Sequence, residues 1–487
     1  MVQAACERPT NLEIPSSLPL AQAIIVAQQN QILQLEDRNA QLETRIGELE
    51  ARLNSNSSNS SAPPSSDKPW DKQTKSPPPD KKPGKKKRGG QLGHPGHHRP
   101  LLPADQVDAM VDYSATQCVK CGEALCGNDE IGEVERYQTS EVPPVKTVVT
   151  EHRACDRHCK CGTINKGRLP DSVRKSAFGP RAQALVGTLA GRYQMPRSAT
   201  RECLDQVFGL QMSEGTIQRI VEDVGDALEA PYNEALEVVR AAHVRHFDET
   251  PWYIKNKYAQ LWVGTCSGAT VFKIADSRGS AVLIAWFGAE HLKVGYSVTD
   301  RYAGYNPAIP NELRGICHAH LRRDFKKLEN KSGFIGIIGG ALRVQHEAFF
   351  SIRHRLEVGE IDRATFDDHV VSIQNTMHDL LQRGVNGGNG KCANMLTYWE
   401  PMWKFLSVPD MEPTNNTAER ALRPAVIHRK RSLGTHSPAG SQFIERILTV
   451  VETAKKHGRN IFEFLVNTVQ AAMAGDQVPK LIPLPDS

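Results

Sequence analysis

The sequence predicts a multidomain α+β protein, and three observations support this. The chain has 487 residues, too many for one hydrophobic core and enough for about three or four domains of roughly 100 to 200 residues. Six of its eleven cysteines crowd between Cys118 and Cys161. After residue 240, segments typical of β-strands alternate with turns and then give way to helical patterns. The predicted order is a coiled coil, a linker, a cysteine-rich module, a helical region and a mixed α/β domain with a helical insertion.

Composition and charge point to a soluble cytoplasmic protein with one basic segment. Apolar residues make up 39% of the chain, and no run approaches the ~18 consecutive apolar residues that a membrane helix needs. The N-terminus lacks the basic flank and apolar core of a signal peptide. Between Lys68 and Arg99, ten Lys or Arg face two Asp, a balance of +8 in a chain of net charge +5. A local basic run of this kind usually meets phosphate, and we expect no membrane partner.

Residues 20–54 are predicted to form a coiled-coil dimerisation helix. Heptad positions a and d hold Ile and Leu, apart from Gln28 and Asn39. Arg occupies position g and Glu occupies position e, so Arg38 would pair with Glu43 of the partner subunit. This pattern favours a parallel, in-register homodimer, or a higher oligomer built on it. A single amphipathic helix packed on its own protein is the alternative.

Residues 55–100 are predicted to be a flexible basic linker. The stretch after Asn54 is rich in Ser, Asn and Pro and cannot bury a core. It continues into DKKPGKKKRGGQLGHPGHHRP, where Gly and Pro keep the chain extended between cations. Such an arm suits a phosphate backbone or a narrow groove, and a merely solvated linker is the alternative. Its DNA-binding candidates are Lys85, Lys86, Lys87 and Arg88.

Residues 101–168 are predicted to form a small zinc-binding domain. The motifs CVKCG and CDRHCKCG carry the candidate ligands Cys118, Cys121, Cys155, Cys159 and Cys161. Two thiolate pairs on tight turns close a tetrahedral Zn²⁺ site, and a Gly after each pair lets the backbone bend around the metal. The second pair is ambiguous, because Cys155 or His158 could replace one of its members. A cluster of free thiols is the alternative.

Residues 175–235 are predicted to form a helical region that binds DNA. Three apolar-periodic segments follow one another between residues 179 and 228, with Gly209 as a helix stop and Ser213 as an N-cap. The short turn between the second and third segments is typical of a helix-turn-helix, in which Thr216, Gln218 and Arg219 would face a groove. A plain helical bundle is the alternative.

Residues 240–435 are predicted to form the α/β domain, interrupted by a helical insertion at about 330–412 and followed by a C-terminal helical cap at 436–487. Strands are expected at 243–254, 260–266, 270–275 and 294–299, with a helix at 279–289 before the last strand. Three strands in a meander, a helix and a further strand make up the ribonuclease H-like arrangement. In that arrangement the first strand is central and pairs in parallel with the fourth.

This strand order selects two carboxylates. Asp248 on the first strand and Asp300 at the end of the fourth would lie on neighbouring strands about 4.8 Å apart. Asp276 ends the third strand, two strand spacings or roughly 10 Å away, and is a poor partner. Glu249 should point to the opposite face of the sheet from Asp248.

A third acid is expected from the later segment EPTNNTAERALRPAVIHRKR. Glu419 lies near the start of its helix, although the spacing from Asn416 to Glu419 is also that of a capping box. Cations on this segment and on an earlier one favour a phosphate-facing surface. They are Arg420, Arg423, Arg429 and Lys430, with Arg322 and Arg323 upstream. Three carboxylates suit two Mg²⁺ (or Mn²⁺) ions roughly 3.5 to 4 Å apart, the arrangement for in-line phosphoryl transfer.

The chain resembles transposases of the insertion-sequence-sixty-six type, which belong to the DDE, retroviral-integrase-like superfamily. The resemblance rests on ordered matches over nearly the whole chain: NSSNSSAPPSSD, GGQLGHPGHHR, the cysteine pairs, FGPRAQAL, MSEGTIQ, HFDETPW, TDRYAGYN, CHAHLRRDF and NNTAERALRP. It implies a catalytic triad of Asp248, Asp300 and Glu419, and favours Cys159 with Cys161 as the second zinc pair. Two positions depart from the family pattern: Arg301 stands where Gly is common, and His318 where Trp is usual.

The resemblance implies a bacterial insertion-sequence transposase that cleaves and rejoins DNA strands with divalent metal. Its partners would be the transposon ends, target DNA, a second copy of the chain and accessory proteins encoded by the same element. It would be cytoplasmic, and associated with the nucleoid when bound to DNA. A catalytically inactive DNA-binding regulator and a ribonuclease H-like nuclease are the alternatives. A regulator would bind DNA without cutting it, and a nuclease would hydrolyse without joining strands.

Overall fold

The computed structural model describes residues 100–125 and 135–483, together with eight scattered positions between 31 and 46. The basic linker, including Lys85 to Arg88, and most of the predicted coiled coil therefore lie outside the described residues. The heptad positions Ile32, Leu35 and Leu42 are helical, and each is more than half exposed in this single chain. Dimerisation through this segment stays a prediction.

The chain divides into two compact units. One comprises residues 1–70, 152–200 and 213–487, and the other comprises 71–151 and 201–212. Within the second unit, Thr147 Oγ1 donates to the carbonyl oxygen of Phe208 at 2.7 Å. Within the first, a two-stranded antiparallel ribbon pairs β1 (Arg157–His158) with β2 (Ile164–Asn165).

Helices predominate between residues 171 and 241. They are α1 (Asp171–Arg174), α2 (Pro180–Gly187) with a π-helical turn at Thr188–Arg192, α3 (Arg197–Phe208), α4 (Glu214–Ala227) and α5 (Glu229–Ala241). Gly209 ends α3 with a φ of +61°, a conformation that costs glycine little. Ser213 caps α4, because its Oγ accepts the Thr216 N–H at 3.1 Å. Both predicted helix signals are confirmed.

A mixed five-stranded sheet follows. Its strands are β3 (Val244–Ile254), β4 (Lys257–Thr265), β5 (Thr270–Ala275), β6 (Tyr296–Thr299) and β7 (Arg314–Ile316), in the spatial order β5-β4-β3-β6-β7. The β3–β4 and β4–β5 pairs are antiparallel, and the β3–β6 and β6–β7 pairs are parallel. The predicted central strand and its parallel neighbour are confirmed, and β7 is an addition. Helices α6 (Ser280–Phe287) and α7 (Ala289–Leu292) connect β5 to β6.

A helical insertion separates β7 from helix α13 (Asn416–Ser432), which packs on the sheet. It contains α8 (His318–Glu329), α9 (Gly333–Glu357), α10 (Arg363–Asn386), α11 (Gly390–Thr397) and α12 (Trp399–Trp403). These helices share an apolar core that includes Phe325, Leu342, Phe349 and Met377. Helix α13 then returns the chain to β3 and β4. Among the described helices, none has the length and apolar character to span a bilayer.

The C-terminal helices α14 (Pro438–Lys456) and α15 (Ile461–Ala474) complete the unit, and α14 covers the edge strand β5. The Glu445 carboxylate accepts the Ile274 N–H at 2.8 Å. One and two turns later, Thr449 Oγ1 accepts the Phe272 N–H and Thr453 Oγ1 accepts the Thr270 N–H. An uncovered edge would leave these donors free to pair with another chain, so α14 satisfies and protects the edge.

Candidate active site

Asp248 lies in the central strand β3 and faces helix α13. Side chains alternate along a strand, so Asp248 shares a face with His246 and Thr250. His246 Nδ1 lies 3.2 Å from Oδ1 of Asn415, the residue before α13, and Thr250 Oγ1 accepts from Arg429 Nη1 at 3.1 Å. These two contacts bracket Asp248 against the helix that carries the third predicted acid.

Asp300 follows directly on strand β6. The parallel pairing aligns His246 with Val298, and continuing this register by two residues places Asp300 opposite Asp248. Neighbouring strands lie about 4.8 Å apart, so both carboxylates belong to one end of the sheet. Asp300 Oδ1 accepts the backbone N–H of Tyr302 at 2.9 Å, which holds the carboxylate against the turn that leaves the strand.

A buried arginine on β7 fixes this turn. Arg314 Nε donates to Thr299 Oγ1 at 2.7 Å, Nη1 donates to Asn306 Oδ1 at 2.6 Å, and Nη2 donates to the carbonyl oxygen of Asp300 at 2.7 Å. Each of the three guanidinium nitrogens thus has an acceptor, and the planar group holds the backbone from which Asp300 projects. Sequence reasoning missed Arg314, because a three-residue strand with a buried cation shows no apolar pattern.

Glu419 lies near the start of α13 but does not cap it. The helix begins at Asn416 with Asn415 as N-cap, so Glu419 is the fourth helical residue, one position beyond that of a capping box. Its Oε1 is buried and has no hydrogen-bond partner. His320 Nδ1 and Arg323 Nη2, both on α8, each lie 3.8 Å from that oxygen. The capping-box alternative is therefore wrong, and the Glu419 carboxylate faces α8.

The three acids interact electrostatically. Burial raises the pKa of the Asp248 carboxyl well above its usual value, and the negative charges of Glu249, Asp300 and Glu419 raise it further. The N–H of Glu249, which donates to Asp248 Oδ1 at 2.9 Å, opposes this shift. A bound divalent cation would offset the repulsion. The carboxylate donors, including Glu419 Oε1 without a hydrogen-bond partner, fit Mg²⁺ or Mn²⁺, which prefer oxygen ligands.

Glu249 belongs to a separate network on the other side of β3. Its Oε1 accepts from Arg278 Nε at 2.6 Å, and its Oε2 accepts from the hydroxyl of Tyr305. Arg278 also stacks over the ring of Tyr302, with its guanidinium carbon 3.8 Å from the centroid. Burial raises the Glu249 pKa and the charge of Asp300 adds to this, while Arg278 lowers it. Glu249 therefore has a cation of its own and lies outside the predicted triad.

The two positions that depart from the family pattern have partners of their own. The Arg301 guanidinium pairs with Asp324 on α8, and its Nη1 donates to Asn394 Oδ1 on α11 at 2.6 Å. His318 is buried in an aromatic pocket, where its ring lies 5.1 Å from Phe405 and 5.6 Å from Trp403 between centroids. Arg301 thus links the turn after β6 to the insertion, and an aromatic ring is retained where Trp is usual.

The cysteine pairs lie on two similar turns. The Gly122 N–H donates to the Cys118 carbonyl at 2.9 Å, and the Gly162 N–H donates to the Cys159 carbonyl at 3.0 Å. Both glycines have positive φ, +75° and +85°, as the predicted bend requires. Hydrogen bonds from the turn backbone lower the Cys118 pKa, and bonds from Thr163 lower the Cys161 pKa to about 7. Lowered thiol pKa values favour metal binding, and the four-cysteine site stays a prediction.

The predicted DNA-binding cations that the structure describes fall into two groups. Exposed ones are Arg219 on α4, Arg322 on α8, and Arg420, Arg423 and Lys430 on α13. The other two are half-buried and already in contact with the site. Arg323 lies beside Glu419, and Arg429 Nη1 donates to the Pro251 carbonyl at 2.8 Å as well as to Thr250. Arg429 therefore positions α13 on β3.

The chain is similar to two protein families and to uncharacterized proteins of one bacterium. The model of the Transposase IS66 family matches residues 175–443, and that of a family of unknown function (DUF6444) matches residues 16–100. An uncharacterized protein (y4qI) of Sinorhizobium fredii is 25% identical over 55% of this chain and 54% of its own length. Another from that organism (y4jD) is 22% identical over 78% of this chain and 80% of its own. The chain thus spans about half the length of the first relative and four fifths of the second.

Proposed function

Because the chain belongs to the Transposase IS66 family, we propose that it is a DNA transposase that binds its element's ends and catalyses metal-dependent strand cleavage and strand transfer. The observation that carries this proposal is the approach of three acids from three elements: Asp248 on β3, Asp300 beside it in the β3–β6 register, and Glu419 on α13. The charges of Asp300 and Glu419 both raise the pKa of Asp248. The strand order supports a ribonuclease H-like catalytic domain, in which acids from these elements form one site.

In this proposal the chain's own residues position the reacting phosphate. Asp248, Asp300 and Glu419 would hold Mg²⁺ or Mn²⁺, which when bound activates the attacking oxygen and stabilises the leaving oxygen. Arg314 holds the turn that presents Asp300, and Arg429 holds α13 against β3. The exposed cations of α13 and α8 would bind the phosphates that flank the cleaved bond.

The remaining segments would bind and pair the DNA ends. We assign structural Zn²⁺ to the cysteine turns, with Cys118, Cys121, Cys159 and Cys161 as ligands and Cys155 as the alternate. Helix α4 would face a groove through Arg219, and the coiled coil would join two protomers. The protein would act in the bacterial cytoplasm at the nucleoid, with accessory proteins of its element as candidate partners.

Strand transfer on DNA that carries the element's ends tests the proposal. Asp300→Asn and Glu419→Gln should each lower Mg²⁺-dependent strand transfer by about a hundredfold or more. Asp276→Asn is the matched control, because Asp276 is exposed and follows β5, two strands from β3. Full activity of Asp300→Asn or Glu419→Gln with Mg²⁺ would contradict the assignment.

The same assay separates the alternatives. A DNA-binding regulator would shift the end-containing DNA in a gel and leave it uncut at every Mg²⁺ concentration. A ribonuclease H-like nuclease would release cleaved products without joining a 3′ hydroxyl to target DNA. The acid cluster favours cleavage over regulation, because the charges of Asp300 and Glu419 make ionisation of Asp248 unfavourable in a domain that never binds metal.

A further inference from the structure

Beside the three acids lies a set of donors suited to a different kind of metal. Cys317 Sγ, a ring nitrogen of His320 and a carboxylate oxygen of Glu419 all lie within 4.8 Å of one another. Within the described parts of the chain, this is the one group of three or more His, Cys, Asp or Glu side chains so arranged. It combines sulfur, nitrogen and oxygen donors, whereas Mg²⁺ sites use oxygen.

The fold holds these donors together. Cys317 is the N-cap of α8, and His320 lies one turn along the same helix, so their side chains lie near each other at its N-terminal end. Glu419 comes from α13. The start of α13 is tied to the cysteine, because the Asn415 N–H donates to Cys317 Sγ at 3.1 Å.

Two of the donor atoms have no hydrogen-bond partner. His320 Nδ1 and Glu419 Oε1 are both buried and accept or donate no hydrogen bond. They are 3.8 Å apart, too far for a hydrogen bond between them. Two ligands at about 2.0 to 2.1 Å from a tetrahedral Zn²⁺ are about 3.4 Å apart, so a small movement would accommodate an ion between these atoms.

We propose that Cys317, His320 and Glu419 bind a thiophilic divalent cation such as Zn²⁺, and that this ion withholds Glu419 from Mg²⁺. Zn²⁺ accepts thiolate, imidazole and carboxylate together, and three protein ligands leave its fourth position to water. Binding releases the thiol proton of Cys317 to solvent. The site would make the proposed transposase sensitive to the balance of zinc and magnesium.

Arg323 competes with the metal. Its Nη1 donates to His320 Nε2 at 3.2 Å, which places the imidazole proton on Nδ1. Metal binding at Nδ1 requires that proton to move to Nε2, so Arg323 must withdraw from the ring. Arg323→Gln removes the competing cation and offers an amide oxygen that accepts from Nε2–H. This variant should therefore bind zinc more tightly than the wild type.

Zinc content of the full-length protein tests the site without reference to activity. After dialysis against limiting Zn²⁺, wild type should retain one equivalent more than Cys317→Ser. Cys266→Ser, another buried free thiol, is the matched control and should retain as much as wild type. Zinc affinity should fall by at least about tenfold in Cys317→Ser, since even outer-shell partners of a ligand change affinity by about 10- to 100-fold. Equal zinc content in Cys317→Ser and wild type would overturn the proposal, as would unchanged zinc affinity in Arg323→Gln.

The inhibitory effect rests on the proposed function and is measured separately. The ratio of strand transfer with Zn²⁺ to that without it, at fixed Mg²⁺, should be at least about tenfold lower for wild type than for Cys317→Ser. Wild-type strand transfer that is unchanged by added Zn²⁺ would overturn the inhibitory role. Absence of any strand transfer would overturn the proposed function, and the zinc content would still report on the site.

Discussion

Two adjacent acids on β3 have opposite surroundings. Glu249 is buried against Arg278 and the hydroxyl of Tyr305, so its charge has a cation and a donor. Asp248 faces the other side of the sheet. Burial raises the pKa of its carboxyl, and the charges of Glu249, Asp300 and Glu419 raise it further. Neighbours in sequence thus differ because a strand directs them to different faces.

The difference separates a structural acid from a functional one. A buried carboxylate that only stabilises the fold is normally paired, because an unpaired buried charge is costly. The Asp248 carboxylate has no such cation among the residues that the structure describes, so its ionisation in the folded protein is unfavourable. Buried groups with perturbed pKa values of this kind are typically concentrated at functional sites.

The largest expected effect is on activity. Asp248→Asn should reduce Mg²⁺-dependent strand transfer by about a hundredfold or more, because it removes a proposed metal ligand. Glu249→Gln retains the hydrogen-bonding shape of its network, so its activity should stay within about tenfold of wild type. Both are measured on the same end-containing DNA. Equal losses in the two variants would abolish the distinction between the two faces.

The next largest effect is expected on the free energy of unfolding when Glu249 loses its cation. Arg278→Met leaves this buried carboxylate without its cation and should lower the free energy of unfolding by about 2 to 3 kcal/mol, less than for a fully buried pair because Arg278 is partly exposed. Arg353→Met, which breaks an i,i+4 pair with the exposed carboxylate of Glu357, is the control and should cost below about 0.5 kcal/mol. Adding Glu249→Gln to Arg278→Met should restore most of the loss. Similar unfolding midpoints for Arg278→Met and Arg353→Met would show that Glu249 does not need its cation.

Asp248→Asn should change the free energy of unfolding in the opposite direction. In the metal-free protein it should raise the free energy of unfolding at neutral pH by about 1 to 2 kcal/mol, because it removes an uncompensated buried charge. The folded-state pKa of Asp248 is raised above its unfolded value of about 3.9. The stability that this carboxyl contributes is therefore fully present below a pH of about 3.9, and it is lost as the pH rises through the folded-state pKa. The advantage of the variant should therefore vanish in acid and shrink when Mg²⁺ is added to wild type. A variant less stable than wild type at neutral pH would contradict this.

The smallest effect is expected at Arg301. Arg301→Gly removes the ion pair with Asp324 but leaves Lys391 Nζ 3.7 Å from that carboxylate. The loss in unfolding free energy should be about 1 kcal/mol, below that of Arg278→Met. Thermal unfolding of the two variants side by side measures this order. A larger loss in Arg301→Gly would show that Lys391 does not compensate for the missing cation.

Local patterns predicted much of the fold. Alternation and turn signals placed β3, β4, β5 and β6 within three residues of their observed ends, and the strand order followed from the known meander-helix-strand arrangement. That order was enough to align Asp248 with Asp300. The capping-box alternative for Glu419 was wrong. Two consecutive asparagines, Asn415 and Asn416, can each be the N-cap, and the sequence does not show which of them begins the helix.

What the sequence settled is local: element type, the alternation that separates Asp248 from Glu249, the caps, and the bends after the cysteines. Contacts between distant segments needed the folded chain. Arg314 holding the Asp300 turn is one case, Cys317 meeting Glu419 is another, and Glu445 on the β5 edge, 171 positions from Ile274, is a third. Periodicity reports which face of an element is apolar, but a single polar contact across the fold leaves no periodic trace.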